Sequence, residues 1–160
     1  SGINQGLVNV VGTDHCPFTL EQKAMGKDDF SKIPNGHPAV EHRMEFMYSE
    51  GVAKNKISLT KFVELTSTNA AKIFGMYPRK GTIAVGTDAD LVVFDPNRKH
   101  TISAETHHMN CDYSGYEGLE VTGKTETVLL RGQIAIENEE CKLQPGYGQF
   151  IRRGRTSLTI

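Results

Sequence analysis

Apolar residues in this chain follow a helical period up to about residue 74, then give way to short β-branched runs punctuated by glycine and proline. That switch restricts the fold to helices gathered on one side of a β-rich segment. In the first part, Val40, Met44, Met47 and Tyr48 fall at i, i+4, i+7 and i+8, which makes one apolar face. The helix carrying them is expected to start near Ala39, with Pro38 in its first turn, and to end at Gly51. A short helix is expected from the capping-box spacing of Thr19 and Gln22. A third is expected after Ser58, holding Leu59, Phe62, Val63 and Thr66. A fourth runs from Thr68 as N-cap through Phe74, with Gly75 as its stop. Residues 31–38 hold Pro34, Asn35, Gly36 and Pro38 and read as a loop.

Ahead of the helices, residues 7–11 (Leu-Val-Asn-Val-Val) read as a buried strand. Beyond them, strands are expected at residues 82–85, 91–94, 100–103, 127–130 and 133–136, the last two joined as a hairpin at Arg131-Gly132. The texture changes between residues 76 and 81. The expected division is 1–77, then a β-rich unit at 78–144, then a tail at 145–160 with few core-forming residues.

The chain's 160 residues suffice for a packed core, and the formal charge of −1 gives no reason to expect a nucleic-acid partner. No apolar run reaches the roughly 20 residues of a membrane span. Cys16, Cys111 and Cys141 form neither a CxxC pair nor an even framework, which favours a reducing compartment, the cytoplasm.

The residue with the strongest chemical claim is Asp14. It follows the 7–11 run by three residues, and a carboxylate at the C-terminal end of a buried strand is where a parallel α/β barrel keeps its chemistry. His15 and Cys16 do not read as further metal ligands, because adjacent residues of an extended segment point to opposite faces. His15 is expected to support or pack, and Cys16 to be a small buried group. Asp88 and Asp90 resemble the opening of a calcium loop, but Val92 occupies the next alternating position and no Glu closes the pattern, so they are expected to shape a turn. The His107-His108 pair is a poor chelate without a third ligand and reads as packing or subunit contact. Glu41 and Arg43 are expected in structural ion pairs.

Four motifs recur in the order and spacing of a known family. They are Thr13-Asp14-His15-Cys16-Pro17-Phe18, Ile33-Pro34-Asn35-Gly36, Thr66-Ser67-Thr68-Asn69-Ala70-Ala71-Lys72, and the run from Pro78 to Pro96 containing Lys80-Gly81-Thr82-Ile83 and Asp88-Ala89-Asp90-Leu91. On them the chain, from about Leu7 to Gly154, resembles the C-terminal third of the dihydropyrimidinase/D-hydantoinase family of the amidohydrolase superfamily. The resemblance implies an α/β fold: the C-terminal portion of a (β/α)8 TIM-like barrel, its last strand at residues 7–11, followed by strands of a small β-sandwich. It implies hydrolytic ring opening of a cyclic amide, a dihydropyrimidine or a hydantoin, to an N-carbamoyl amino acid. A pair of metal ions, usually zinc, activates the attacking water.

By this resemblance Asp14 is both a metal ligand and the group that moves the proton, and Asn35 binds the substrate's ring amide through its main chain. The family's other ligands, a His-x-His pair, a carbamylated lysine and two further histidines, precede this segment. The chain alone is therefore expected to be inactive, as a truncation or a piece of a complete enzyme. Ala39 stands where relatives usually carry glycine, which would strain the backbone if φ there were positive. The tail, with Gly146-Tyr147-Gly148-Gln149-Phe150, matches one that reaches a neighbouring subunit in relatives, which implies a homo-oligomer, a tetramer. Two other assignments are open at this point: a non-catalytic scaffold of the same fold, and a related allantoinase or dihydroorotase. Retention of Asp14 and Asn35 speaks against the scaffold, and the 34–36 loop against the other amidases.

Overall fold

The computed structural model describes residues 2–157. Ser1 and the last three residues of the tail expected at 145–160 lie outside the described residues. Short helices occupy the first part of the chain and a four-stranded antiparallel sheet the second.

Helix α1 (Leu20–Lys23) starts where the capping box puts it. The Thr19 hydroxyl accepts from Gln22 N–H, and the Gln22 side chain accepts from Thr19 N–H at 2.8 Å. Helix α2 (Arg43–Met47) runs on into a π-helical turn at Tyr48–Val52. It begins later than the expected start near Ala39, because residues 40–42 make a turn and the Ala39 and Val40 N–H groups bond His15 instead. Its apolar stripe is the expected one except at Val40, which lies ahead of the helix and is 49% exposed, and Val52 joins the stripe instead. Met44, Met47, Tyr48 and Val52 pack on the buried cluster Ile57, Phe62 and Leu65.

The third and fourth expected helices are one helical run. Helix α3 (Leu59–Val63), capped by the Ser58 hydroxyl, passes through a π-helical turn at Glu64–Thr68 into α4 (Asn69–Ile73). Thr68 is therefore not an N-cap. Its backbone is helical at φ −61°, ψ −47°, and its hydroxyl donates to the Gly81 carbonyl at 2.7 Å. The run ends at Gly75 in a Schellman motif, with Gly75 N–H on the Lys72 carbonyl and Met76 N–H on the Ala71 carbonyl. The tail returns to this end. Ser157 N–H caps the Lys72 carbonyl at 3.0 Å, and Gly154 N–H caps that of Gly75 at 2.7 Å.

The sheet runs in the order β1 (Leu91–Thr101), β2 (Glu120–Leu130), β3 (Gln133–Glu137), β4 (Glu140–Cys141). The runs expected at 91–94 and 100–103 merge into β1, which bulges around Pro96, where no N–H is available for the ladder. The hairpin at Arg131-Gly132 forms as read, with both residues at positive φ (48° and 81°) as a type I′ turn requires. Two expected strands are absent. Residues 82–85 form an open turn with Ile83 and Val85 fully exposed. Residues 7–11 are extended, but among the described residues no strand lies alongside to complete a ladder, and Leu7 is 76% exposed.

Helix α2 and the sheet meet through Tyr48, whose ring lies 4.8 Å from that of Phe94 and 5.9 Å from that of Phe62. Ser49 Oγ, buried beside it, accepts from Thr122 N–H at 3.1 Å. In the connection before β1, Asp88 receives Arg79 and Lys80, each at 2.9 Å, and Lys80 also reaches Asp90. Hydrogen bonding from Lys80, then from Arg79, holds the Asp88 carboxyl below the ordinary carboxylate value. Asp90 Oδ1 accepts from Arg131 N–H at 2.8 Å, so the two aspartates fasten a turn to the hairpin, as the failed calcium pattern suggested.

Candidate functional site

Two loops from distant parts of the sequence are joined here. The extended segment from residue 7 is tethered to the helices at three points. Val11 N–H bonds the Leu65 carbonyl at 3.3 Å, Asn69 Nδ2 donates to the Asn9 carbonyl at 2.9 Å, and Arg43 Nη1 donates to the Val11 carbonyl at 3.3 Å. Arg43 therefore braces the approach to Asp14 rather than entering the expected ion pair. Glu41 does enter one, with His108 at 2.8 Å.

Asp14 ends the segment in a left-handed conformation, φ 49°. That backbone state costs most residues energy but is tolerated by aspartate. Its side chain is exposed, with no hydrogen bond or ion pair to any described residue. Residues in this state cluster at functional sites because the surroundings must hold them there.

The next residues dock on the second loop. His15 and His37 form a parallel β-bridge, and Cys16 N–H bonds the His37 carbonyl at 3.3 Å. His15 Nδ1 accepts from Ala39 N–H at 3.2 Å and from Val40 N–H at 3.4 Å, which makes it a support, as expected. Ala39 is buried and not at positive φ, so the departure from glycine brings no backbone strain. Cys16, expected to be buried, is exposed, because its loop lies on the surface beside Gly36. Gly36, at φ 145°, comes so close that a Cβ there would stand 2.3 Å from the Cys16 carbonyl oxygen.

Asn35 lies exposed between these anchors. Neither of its main-chain groups has a partner among the described residues. The residue that sequence reading missed is Lys23, at the end of α1. Its ammonium donates to the Pro34 carbonyl at 2.5 Å and the Gly36 carbonyl at 2.7 Å, and lies 5.3 Å from the Phe18 ring centroid. Nothing in the local pattern marks a contact spanning eleven and thirteen residues.

The expected metal centre can be judged by its donors. Among the described residues no group of three His, Cys, Asp or Glu side chains could hold a metal ion. Asp14 suits the role of a single exposed carboxylate ligand and does not by itself make a site.

A second feature lies away from Asp14. A cavity of about 440 Å³ between the start of α2 and the sheet is lined by His42, His100, His107, His108, Glu41 and Glu45, among others. His42 is 5% exposed and stacks on His107 at 6.0 Å. The expected packing role of His107 therefore holds, and its Nε2–H donates to the Cys111 carbonyl at 2.9 Å. Burial pushes the His42 imidazole below its ordinary value of 6.5 against the pull of Glu41 and Glu45, and His107 and His100 add to the lowering.

Below about pH 6.5 the folded chain thus holds fewer protons at His42 than the unfolded chain, and stability is lost as pH falls from there through the lowered value. His108, raised by its bond to Glu41, works the opposite way. It adds stability below pH 6.5 that is lost as pH rises through the raised value, but it is exposed and screened. His42→Phe keeps the stacking and removes the titration. Its melting temperature is expected to fall less steeply between pH 7 and 5 than that of the parent, and parallel slopes would refute this.

The amidohydrolase family, as a sequence profile, matches residues 1–135. The chain is 47% identical over 156 residues to a D-hydantoinase of Geobacillus stearothermophilus, covering 97% of this chain and 33% of that one. It is 46% identical over 149 residues to a dihydropyrimidinase of Dictyostelium discoideum, covering 93% and 30%. The crystal structure of dihydropyrimidinase from Brevibacillus agri superposes with a TM-score of 0.95 at 50% identity, over 99% of this chain and 34% of that one. The chain spans about a third of the length of the relatives it matches. Among the described residues no helix is long and apolar enough to cross a membrane. With the family profile matched over most of its length and its fold superposing on those relatives, the chain belongs to the amidohydrolase family.

Proposed function

We propose that this chain carries one wall of the site of a metal-dependent cyclic amidase, which opens dihydropyrimidine or hydantoin rings to N-carbamoyl amino acids. The observation that supports this best is the joined pair of loops. They bring an unpaired carboxylate, Asp14, and an unspent peptide unit at Asn35 onto one docked surface. In this reading residues 1–77 supply the last strand and the final helices of a (β/α)8 barrel, residues 78–144 part of a β-sandwich, and residues 145–160 a contact with a neighbouring subunit of a homo-oligomer, a tetramer. The unpartnered segment at 7–11 then pairs with strands supplied by the rest of the barrel. The three free thiols fit a cytoplasmic, reducing setting.

A bound pair of divalent ions, zinc in this reading, supplies Lewis-acid activation of the water and the ring carbonyl. Asp14 contributes one ligand, and the remaining donors lie outside this chain. The Asp14 carboxylate takes the proton from the attacking water as the C–O bond forms, and returns it to the ring nitrogen as the C–N bond breaks. Asn35 N–H and C=O meet a ring C=O and N–H of the substrate, an amide–amide pair that fixes which carbonyl faces the acid.

The test is a hybrid in which this chain replaces the matching third of the Brevibacillus agri protein. The hybrid, loaded with zinc, is expected to open dihydrouracil or hydantoin, and the 160-residue chain with zinc is not. A folded hybrid without turnover, or an active isolated chain, would overturn the reading.

A further inference from the structure

We propose that Lys23 is a positioning residue that aims the Asn35 amide at the substrate ring, an inference that rests on the cyclic-amidase reading above. The 34–35 peptide is trans, so Asn35 N–H points opposite to the Pro34 C=O in the same plane. Lys23 Nζ holds that carbonyl at 2.5 Å and thereby fixes the direction of the Asn35 N–H. The same ammonium holds the Gly36 C=O at 2.7 Å, which fixes the next plane but one. Between these two clamped planes hangs the Asn35–Gly36 peptide, whose C=O is the complementary acceptor. A loop of this composition, with a proline on each side and a glycine at φ 145°, has no regular ladder to hold it apart from the bridge at His37.

The charge acts beyond geometry. A charge-assisted bond to the Pro34 carbonyl polarises the amide and makes its N–H a stronger donor. Lys23 is also tied to the Asp14 loop, through the Phe18 ring 5.3 Å away. The capping box ahead of it, and the Asp112 carboxylate that accepts from Leu20 N–H at 2.8 Å, fix the helix that carries it. Beside the His15–His37 bridge, this one side chain links the acid's loop to the two carbonyls that flank the Asn35 amide.

The test has two parts. In the 160-residue chain, ¹⁵N relaxation should give Asn35 and Gly36 order parameters near ~0.85, falling below ~0.6 in Lys23→Met, with α1 unchanged. Lys23→Arg, which keeps the charge and two donors, should recover part of that order, and Lys27→Met, an exposed lysine four residues on, should change nothing. In the hybrid enzyme, Lys23→Met should raise KM at least tenfold with kcat within about threefold, because the amide contact is made in ground state and transition state alike.

Unchanged order parameters in Lys23→Met overturn the proposal. So does an unchanged KM in a hybrid whose turnover is abolished by Asp14→Asn, which leaves the cyclic-amidase reading standing. Turnover that survives Asp14→Asn removes Asp14 from the proton transfer, and a folded hybrid with no turnover removes the cyclic-amidase reading; the relaxation result then decides the clamp alone.

Discussion

Asp14→Asn in the hybrid enzyme is expected to lower kcat by about 10³-fold or more without loss of fold. Positioned general acid–base catalysis contributes roughly 10² to 10⁴, and losing an anionic ligand weakens metal binding in addition. The substitution is well matched for isolating that chemistry. Asparagine has the same shape as aspartate but cannot take up a proton in this range. It also tolerates the left-handed backbone found at φ 49°, so no strain is introduced. Asp14 is exposed and makes no bond to a described residue, so its replacement should move stability by no more than about 0.5 kcal/mol. Circular dichroism and melting of the variant 160-residue chain should therefore match its parent while turnover of the hybrid collapses. A kcat within tenfold of the parent would mean that Asp14 is a turn residue with no part in the proton transfer.

What the sequence made legible, and what it hid, follows from the range of the interactions involved. The Thr19–Gln22 cap and the Arg131-Gly132 turn are set by contacts within three or four residues, and both formed as read. Tyr48, Met44 and Met47 declared their face by periodicity and pack on the core. Thr68 was misread because threonine before a helical run resembles a cap, whereas here a π-helical turn carries the backbone straight through it. Residues 7–11 and 82–85 have strand composition but lack a neighbouring strand, and a strand is defined by its partner.

At the site, the motif around Asp14 and the loop around Asn35 were visible as two separate stretches. Their junction was not, because the His15–His37 bridge spans 22 residues and the Lys23 clamp depends on the end of a one-turn helix meeting two carbonyls. The histidine-lined cavity was equally hidden, since His42, His100 and His107 come from three different elements.

A large stability effect is expected at Gly123, in β2. Its φ is +98°, and a Cβ there would stand 2.4 Å from Tyr48 Cδ1 and 2.7 Å from Phe94 Cζ. Two independent costs add for any side chain. An L-residue forced to positive φ loses roughly 1–2 kcal/mol, and overpacking a formed core loses roughly 1–3 kcal/mol more. Gly123→Val should therefore destabilise by about 2–5 kcal/mol, because the branched side chain can neither rotate away nor displace the two rings. At roughly 2–4 °C per kcal/mol for a chain of this size, melting should fall by about 10 °C.

Gly118→Ala separates the two costs. Gly118 is also at positive φ, +76°, but nothing stands within 4 Å of its Cβ position. It should lose only the backbone share, about 1 kcal/mol, and Gly123→Ala should lose clearly more than Gly118→Ala. Equal losses would show that Tyr48 and Phe94 move aside without cost. The effect should reach the site as well. Tyr48 sits on the helical run that begins at Arg43, whose guanidinium holds the Val11 carbonyl. A displaced α2 would loosen the approach to Asp14 before the chain unfolds, so Gly123→Ala should lower the hybrid's turnover at temperatures well below its melting point.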